Sequence, residues 1–157
     1  MSGRDLPAVA LDAPSIFERA SSRAFALELP YAGAVTPIEA YRLQLDEAAI
    51  VVDVRTLPEW QFVGRVPRSV LVEWRRYGER QPNALFVEEL ARLFDREQPL
   101  LFLCRSAVRS HHAAIVATRA GFSRAYNVLE GFEGELDPAR RRGASGWRAA
   151  GLPWEQD

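Results

Sequence analysis

Hydrophobic and polar positions along the chain form short apolar runs separated by segments of helical periodicity. Nearly continuous runs of aliphatic, β-branched and aromatic side chains occupy residues 49–55 (AIVVDVR), 69–74 (SVLVEW), 99–104 (PLLFLC) and 124–129 (RAYNVL). Such runs are typical of strands that are buried on both faces of a parallel sheet. The sequence therefore predicts strands at these places, in the interior of one sheet.

The segment VTPIEAYRLQL (35–45) carries the clearest helix start in the chain. Thr36 can cap the first turn, Pro37 suits the first helical position, and Glu39 can complete a capping box. A short helix is predicted to begin here, with a packing face formed by Ala40, Tyr41 and Leu43.

Other segments show helical spacing without such a clear start. The segment ALFVEELARLF (84–94) spaces its large apolar side chains as one helix face does, at Leu85, Phe86, Leu90, Leu93 and Phe94. A further helix is predicted to begin near Ser110 and to close at Gly121. In residues 14–29 the pattern is looser, with one possible face at Ile16, Phe17, Ala20, Ala24 and Leu27.

Strands and helices that alternate in this way predict an α/β fold. Its central sheet should be largely parallel and flanked by helices on both faces. A chain of 157 residues has the size of one ordinary domain. We assign residues 1–30 to an N-terminal extension with one possible helix and residues 31–157 to the α/β domain.

Composition and charge narrow the classes of function. No apolar run approaches the length of a membrane span, and the N-terminus lacks the apolar stretch of a signal peptide, so a cytoplasmic protein is expected. The net charge is -1 although all 20 basic residues are arginine, which argues against nucleic acid or a membrane surface as partner. The sequence leaves the oligomeric state open.

The only cysteine, Cys104, ends the run PLLFLC and precedes the predicted helix. Open α/β sheets bind their ligands at the carboxyl ends of the strands. There the amide hydrogens of the loop, the positive helix end, Arg105 and Arg109 would favour a nucleophilic thiolate. An inert core cysteine is the alternative, since free cysteines are often buried, but such a thiol gains nothing from two cationic neighbours.

The pair His111 and His112 invites interpretation as a metal site. Adjacent helical residues point about 100° apart and cannot chelate one ion together. No other ligand type stands at the required spacing, so no metal and no cofactor is expected.

Several segments together resemble the rhodanese-like sulfurtransferases, over about residues 35–154. CRSAVRS (104–110) is similar to the active-site loop of that family. VVDVRTLPEWQFVGRVPRSVLV (51–72) resembles its upstream signature, with matches at Asp53, Arg55, Glu59, Trp60 and Gly64. AGFSRAYNVLEGFEG (120–134) and GWRAAGLPW (146–154) resemble its downstream segment.

The resemblance implies a rhodanese-like domain and assigns roles to individual residues. Cys104 is implied to be the nucleophile that carries sulfur, in a loop formed by Arg105, Ser106, Ala107, Val108 and Arg109, with Ser110 starting the helix. Asp53 and Arg55 are implied to brace this loop, and Glu59 and Trp60 to begin a short helix and pack. For Arg109, whose guanidinium has a planar fork of donors, we expect bonds to loop carbonyls or to a carboxylate such as Asp53.

The implied reaction moves a sulfane sulfur from thiosulfate or a persulfide to a thiol or cyanide through a Cys104 persulfide. A cysteine phosphatase is the less favoured reading, because four residues separate Cys104 from Arg109 where those enzymes have five. A non-catalytic binding or regulatory module of the same fold is the other alternative. It is favoured by Arg65, Pro67 and Ala107, where the family usually has His, Gly and Gly. At Ala107 a positive φ would cost a non-glycine residue about 1 kcal/mol.

Overall fold

A five-stranded sheet, parallel throughout, forms the centre of the protein in this computed structural model, which describes residues 9–157. Its strands are β1 (Gly33–Val35), β2 (Ile50–Asp53), β3 (Val70–Leu71), β4 (Leu100–Leu103) and β5 (Ala125–Val128). They lie in the order β1-β5-β4-β2-β3. The innermost strand, β4, pairs with β2 from Ile50↔Leu100 to Asp53↔Leu103. The predicted α/β fold with a parallel sheet is confirmed.

Helices cover both faces of this sheet. They are α1 (Ala13–Leu27), α2 (Pro37–Leu45), α3 (Phe86–Leu93) and α4 (Val108–Arg119), and a π-helical turn spans Glu59–Val63. Alternate residues of one strand enter different cores: Leu101 packs in the core with α1 and α2, whereas Phe102 packs in the core with α3 and α4. This alternation explains why the strand sequences are apolar without interruption.

The predicted start of α2 is confirmed in detail. The Thr36 hydroxyl accepts the Glu39 N–H at 3.2 Å, and the Glu39 carboxylate accepts the Thr36 N–H at 2.9 Å. Glu39 also joins α2 to α1, because its oxygens lie 2.9 Å from Arg19 Nε and 2.6 Å from Arg23 Nη1. Burial alone would raise the pKa of Glu39, but bonds from the two arginines and Thr36 outweigh it and lower the pKa to about 2.

Helix α1 is packed against the sheet and contributes to its core. Ile16 and Ala20 are fully buried, whereas Leu27 at the predicted face is exposed. A Cβ atom on Gly33 would collide with the backbone of Ala20, so the glycine in β1 allows this close approach. Residues 1–8 of the predicted extension lie outside the described residues, and the boundary at residue 30 stays a prediction.

Several element bounds differ from those predicted. The sequence pattern did not indicate β1, which is only three residues long. The run 69–74 forms strand only at Val70–Leu71. In α3 the side chains of Leu85 and Leu93 are exposed, because the helix is short and buries only Phe86 and Leu90. Helix α4 begins at Val108, two residues before the predicted start, which places the Arg109 backbone in its first turn.

Candidate active site

Cys104 follows the last residue of β4 and lies beneath the loop that leads into α4. Its side chain is buried, with 1% of the residue exposed. The backbone N–H of Ala107 donates to Cys104 Sγ at 3.1 Å. Because Ala107 is the N-cap of the twelve-residue helix α4, the positive end of the helix dipole lies beside the sulfur. The Ala107 N–H and the N-terminus of α4 can therefore stabilise an anionic sulfur at this position.

Ala107 adopts the left-handed backbone conformation, which is strained for a residue other than glycine. Its φ is 79° and its ψ is 3°. This conformation turns the chain sharply, so that the Ala107 N–H points back to Cys104 while the Ala107 carbonyl accepts the His111 N–H at 3.3 Å. The alanine accepts backbone strain of about 1 kcal/mol to form the turn.

Ser110 provides a second polar contact to the sulfur, and Asn127 joins it from β5. The distance from Cys104 Sγ to Ser110 Oγ is 3.2 Å, and Ser110 Oγ donates to Asn127 Oδ1 at 2.5 Å. Asn127 Nδ2 donates to the Ala107 carbonyl at 3.2 Å. Sequence reasoning missed Asn127; the signal available was a polar residue inside an apolar strand, which must find a partner when buried.

Arg109 binds a carboxylate, one of the two kinds of partner expected, but this carboxylate is Glu59 and not Asp53. Its Nη1 and Nη2 donate to the two carboxylate oxygens of Glu59 at 2.7 and 2.9 Å. Burial alone would raise the pKa of Glu59, but Arg109 and the Thr56 donors lower it to about 2. Burial likewise opposes the charge on Arg109, and Glu59 overcomes this effect, so the pKa of Arg109 is raised. Both groups therefore stay charged at neutral pH.

Asp53 and Arg55 form a separate ion pair inside the protein. Both side chains are fully buried, and Arg55 Nη2 lies 2.7 Å from Asp53 Oδ2. Arg55 also donates to the Gly64 carbonyl at 2.6 Å and lies over the Phe132 ring, 4.4 Å from its centre. The Phe132 N–H in turn donates to the Cys104 carbonyl at 2.8 Å. Phe132 thus connects this ion pair to the base of the loop, and the bracing role itself stays a prediction.

The π-helical turn that carries Glu59 is tied to the C-terminal segment of the chain. Arg65 and Glu155 exchange backbone hydrogen bonds at 2.7 and 2.9 Å, and Arg65 Nη2 binds Asp157 at 2.9 Å. Gln156 donates to the Phe62 carbonyl at 2.8 Å. Arg65, which departs from the family pattern, therefore holds the C-terminal segment against one wall of the site.

A glycine behind the loop allows a second close approach. Gly131 has a φ of 67°, and a Cβ atom there would lie 2.5 Å from the Arg105 carbonyl carbon and 2.7 Å from the Cys104 carbonyl oxygen. Any larger residue would push the turn after β5 away from the loop. The close approach of Gly131 therefore holds the backbone of Cys104 and Arg105 in position.

A pocket of about 640 Å³ opens beside the loop. Arg105 and Arg109 line it, together with Arg75, Phe62 and Tyr77. Arg105 and Arg75 are exposed cations at this pocket, whereas Arg109 is neutralised by Glu59. Of the other loop positions, Ser106 is half-buried and Val108 is exposed. The lining also includes the carboxylates of Glu79 and Glu133, and Glu133 lies 3.7 Å from Arg148, so arginines outnumber carboxylates at the pocket.

The two histidines, His111 and His112, are adjacent in α4. Within residues 9–157, no three His, Cys, Asp or Glu side chains are grouped as a metal site requires. His111 Nδ1 lies 2.7 Å from the Tyr31 hydroxyl, at hydrogen-bonding distance. Burial and the neighbouring His112 both lower the pKa of His111. In the same described residues, no helix is long and apolar enough to cross a membrane.

Comparison with known proteins agrees with the fold. The chain is 48% identical to Rv0390 from M. tuberculosis, whose crystal structure superposes with a TM-score of 0.71 and covers 81% of this chain and 99% of that one. An uncharacterized protein of Rickettsia conorii, RC0915, is 32% identical over 117 residues, which are 70% of this chain and 85% of that protein.

A named enzyme is among the more distant relatives. The thiosulfate sulfurtransferase GlpE of Glaesserella parasuis is 28% identical over 100 residues, which are 64% of this chain and 82% of that enzyme. The family model of the rhodanese-like domain matches residues 36–135, a range that holds Cys104, its loop and both ion pairs. The chain belongs to the rhodanese-like domain family.

Proposed function

We propose that this protein is a sulfurtransferase that moves a sulfane sulfur from thiosulfate or a related donor to a thiol or cyanide acceptor. The observation that carries the proposal is the position of Cys104 Sγ: it lies at the N-terminus of α4 and receives the Ala107 N–H at 3.1 Å. These donors would stabilise the anionic sulfur of a thiolate or a persulfide, as an oxyanion hole stabilises oxygen. The GlpE relatives support the same chemistry.

The proposed reaction has two half-reactions on one sulfur atom. The Cys104 thiolate attacks the outer sulfur of thiosulfate, a new S–S bond forms, and sulfite leaves with the electron pair of the broken S–S bond. In the second step the acceptor, cyanide or a thiolate, attacks the outer sulfur of the Cys104 persulfide. Thiocyanate or a new persulfide leaves, and the Cys104 thiolate is restored. The cycle balances without an added oxidant, metal or organic cofactor.

The pocket beside the loop supplies the proposed binding site for the donor. Arg105 is exposed there, next in sequence to Cys104, and Arg75 adds a second exposed cation. A dianion such as thiosulfate is expected to bind between these charges. The volume of about 640 Å³ exceeds what thiosulfate needs, so the same pocket has room for an organic thiol acceptor. A cytoplasmic location is part of the proposal, since a reducing compartment keeps Cys104 free.

Mass spectrometry with a cyanide assay tests the proposal directly. Incubation with thiosulfate should add the mass of one sulfur atom to Cys104, and cyanide should remove it as thiocyanate. Cys104→Ser should abolish both signals, and Arg105→Ala should raise the KM for thiosulfate while the folded state is kept. If neither thiosulfate nor persulfide donors form an adduct on Cys104, the sulfurtransferase proposal is wrong. The alternative, a non-catalytic binding or regulatory module, is then favoured.

Loop length separates this proposal from a cysteine phosphatase. Four residues lie between Cys104 and Arg109, and Arg109 is held by Glu59 at 2.7 Å. A guanidinium bound in this way is not directed at a phosphate ester. Hydrolysis of aryl phosphates should stay at background, and insertion of one glycine after Ser106 should weaken sulfur transfer. Robust phosphatase activity that depends on Cys104 would overturn the assignment.

A further inference from the structure

Within residues 9–157, Asn127 is the one side chain that hydrogen-bonds to both residues in contact with the sulfur. The contacts to Cys104 Sγ come from the Ala107 N–H and from Ser110 Oγ. Asn127 donates from Nδ2 to the Ala107 carbonyl and accepts the Ser110 hydroxyl at Oδ1. It belongs to β5 and is 4% exposed, so its contacts are not shared with solvent.

These contacts fix the direction of each hydrogen bond. A carbonyl oxygen only accepts, so the amino group of Asn127 must face Ala107 and Oδ1 must face Ser110. Oδ1 also only accepts, so the single hydroxyl proton of Ser110 points to Asn127, at an O–O distance of 2.5 Å. Toward Cys104 Sγ, at 3.2 Å, Ser110 Oγ can then only accept. In this arrangement the Cys104 S–H is the donor.

We propose that Asn127 is a positioning residue that stabilises the protonated, resting form of Cys104 by holding the Ser110 proton away from the sulfur. The inference rests on the proposed function only in taking Cys104 as the nucleophile. When the thiol releases its proton to solvent, the Ser110 hydroxyl rotates to donate to the anionic sulfur, and Asn127 Oδ1 loses that bond. Only hydrogen bonds are exchanged in the rotation. Asn127 and the anionic sulfur therefore compete for one proton.

Loss of Asn127 should free Ser110 more than it disturbs the loop. The Ala107 carbonyl keeps the backbone hydrogen bond from His111 N at 3.3 Å when Nδ2 is removed. The base of the loop keeps the Phe132 and Glu133 N–H bonds to the Cys104 and Arg105 carbonyls, at 2.8 and 3.0 Å. Ser110, in contrast, loses the acceptor of its only proton. The main effect should be on ionisation of the sulfur and not on its access.

Replacing Asn127 removes none of the charged and titratable groups around Cys104, although one of them, Tyr31, is hydrogen-bonded to Asn127. They come from the end of β2, from the loop and α4, and from the segment before β1: Asp53, Arg55, Arg105, Arg109, His111 and Tyr31. Asn127 and Ser110 carry no charge themselves. A change in the pH dependence of Cys104 on replacing Asn127 therefore reports the hydrogen bonds.

The test is the alkylation rate of Cys104 by iodoacetamide in Asn127→Leu, which has similar volume and no hydrogen-bonding group. At pH 7 the variant should react about three- to tenfold faster than the wild type, because Ser110 can donate to the thiolate. At about pH 10, where a thiol is ionised in any case, the two rates should converge. An equal gain at both pH values would mean improved access, and would overturn the proposal, as would no gain at pH 7.

Two further variants complete the test. In a Ser110→Ala background, replacing Asn127 by Leu should no longer raise the rate at pH 7; a gain that persists contradicts the proposed route through Ser110. Gln44→Leu removes another buried amide, which binds the Pro67 carbonyl at 2.8 Å, and serves as the matched control for general loosening, with no gain expected.

A charged replacement provides a second route to the same answer. If Asn127→Leu does not fold, Asn127→Asp retains the acceptor, and the stronger acceptor with its negative charge should slow alkylation at pH 7. A faster reaction of this variant would contradict the proposal. Alkylation needs no sulfur donor, so the result for Asn127 stands apart from the persulfide assay that tests the proposed function.

Discussion

Two arginine–carboxylate pairs lie near the same edge of the sheet, and they differ in exposure. Asp53–Arg55 is completely buried and binds the Gly64 carbonyl, whereas the side chains of Glu59 and Arg109 are each 19% exposed and line the pocket. The bond lengths are nearly the same, 2.7 Å for the shortest contact in each pair. The two pairs therefore differ in burial and not in bond geometry, and we expect the buried pair to support the fold and the other pair to shape the site.

The buried pair should show the largest effect on stability. Asp53→Asn removes the charge with little change of volume and leaves Arg55 as an unpaired buried cation, so the free energy of unfolding should fall by about 3 to 5 kcal/mol. Urea denaturation measures this loss. The matched control is Glu88→Gln, which opens a pair whose side chains are 62% and 74% exposed. It should change the free energy of unfolding by no more than about 0.5 kcal/mol.

The pair at the pocket should show its effect in catalysis. In Arg109→Lys an ammonium cannot reproduce the two parallel bonds to Glu59, so the first turn of α4 and the loop amides lose their alignment. A loss of about 1.4 to 3 kcal/mol of transition-state stabilisation lowers kcat/KM by about ten- to a hundredfold. Sulfur-transfer kinetics and a melting curve on the same protein measure both properties.

Arg92→Lys, at an exposed position of α3, is the control for the change of cation. Its kcat/KM should match that of the wild type. A near-wild-type kcat/KM for Arg109→Lys would show that charge alone suffices at the pocket. Global unfolding of Arg109→Lys would instead place this pair with Asp53–Arg55 among the supports of the fold.

Acid titration sharpens the comparison through Glu59. Its pKa is lowered to about 2 in the folded protein, below the ordinary value of 4.5. The stabilisation is therefore fully present above about pH 5 and is lost as the pH falls toward 2. Wild type and Glu59→Gln should differ by about 1 to 2 kcal/mol in free energy of unfolding at neutral pH, allowing for partial exposure of the pair. The two curves should converge in acid; a constant difference would exclude Glu59 ionisation as its source.

The sequence predicted those parts of the fold whose signals are local. The apolar runs around β2, β4 and β5 and the capping box of Thr36 and Glu39 depend on neighbours a few positions away, and all are confirmed. Strand β1 was not predicted, because a strand of only three residues shows no recognisable hydrophobic pattern. The start of α4 was misplaced because its N-cap is Ala107, a residue type that does not indicate a cap.

Partner choice within the site was harder to predict than its location. Cys104 and its loop could be placed from one continuous segment. Glu59 lies 50 positions from Arg109, and Asn127 lies 17 positions from Ser110, so their contacts arise only when β2, β4 and β5 meet in the sheet. Asp53 and Glu59 are both carboxylates of the segment 51–72, so the sequence did not indicate which of them would bind Arg109. Asp53 binds Arg55, which is two residues away, so Arg109 binds the other carboxylate, Glu59.

The substitution Ala107→Gly has the smallest expected effect on the free energy of unfolding. It lies in the loop between Cys104 and α4. With a φ of 79°, an alanine is strained where a glycine is not, and glycine is also the better N-cap. Ala107→Gly should therefore raise the free energy of unfolding by about 0.5 to 1 kcal/mol, or Tm by about 1 to 4 °C, although the freer unfolded chain offsets part of the gain. Sulfur transfer should be retained, because the Ala107 N–H that donates to Cys104 Sγ is a backbone group.

Ala91→Gly, at an exposed site inside α3, is the control and should be destabilising by about 1 kcal/mol. Destabilisation of both variants would mean that the strain at Ala107 is relieved elsewhere in the loop, and melting curves of the two proteins side by side decide the question.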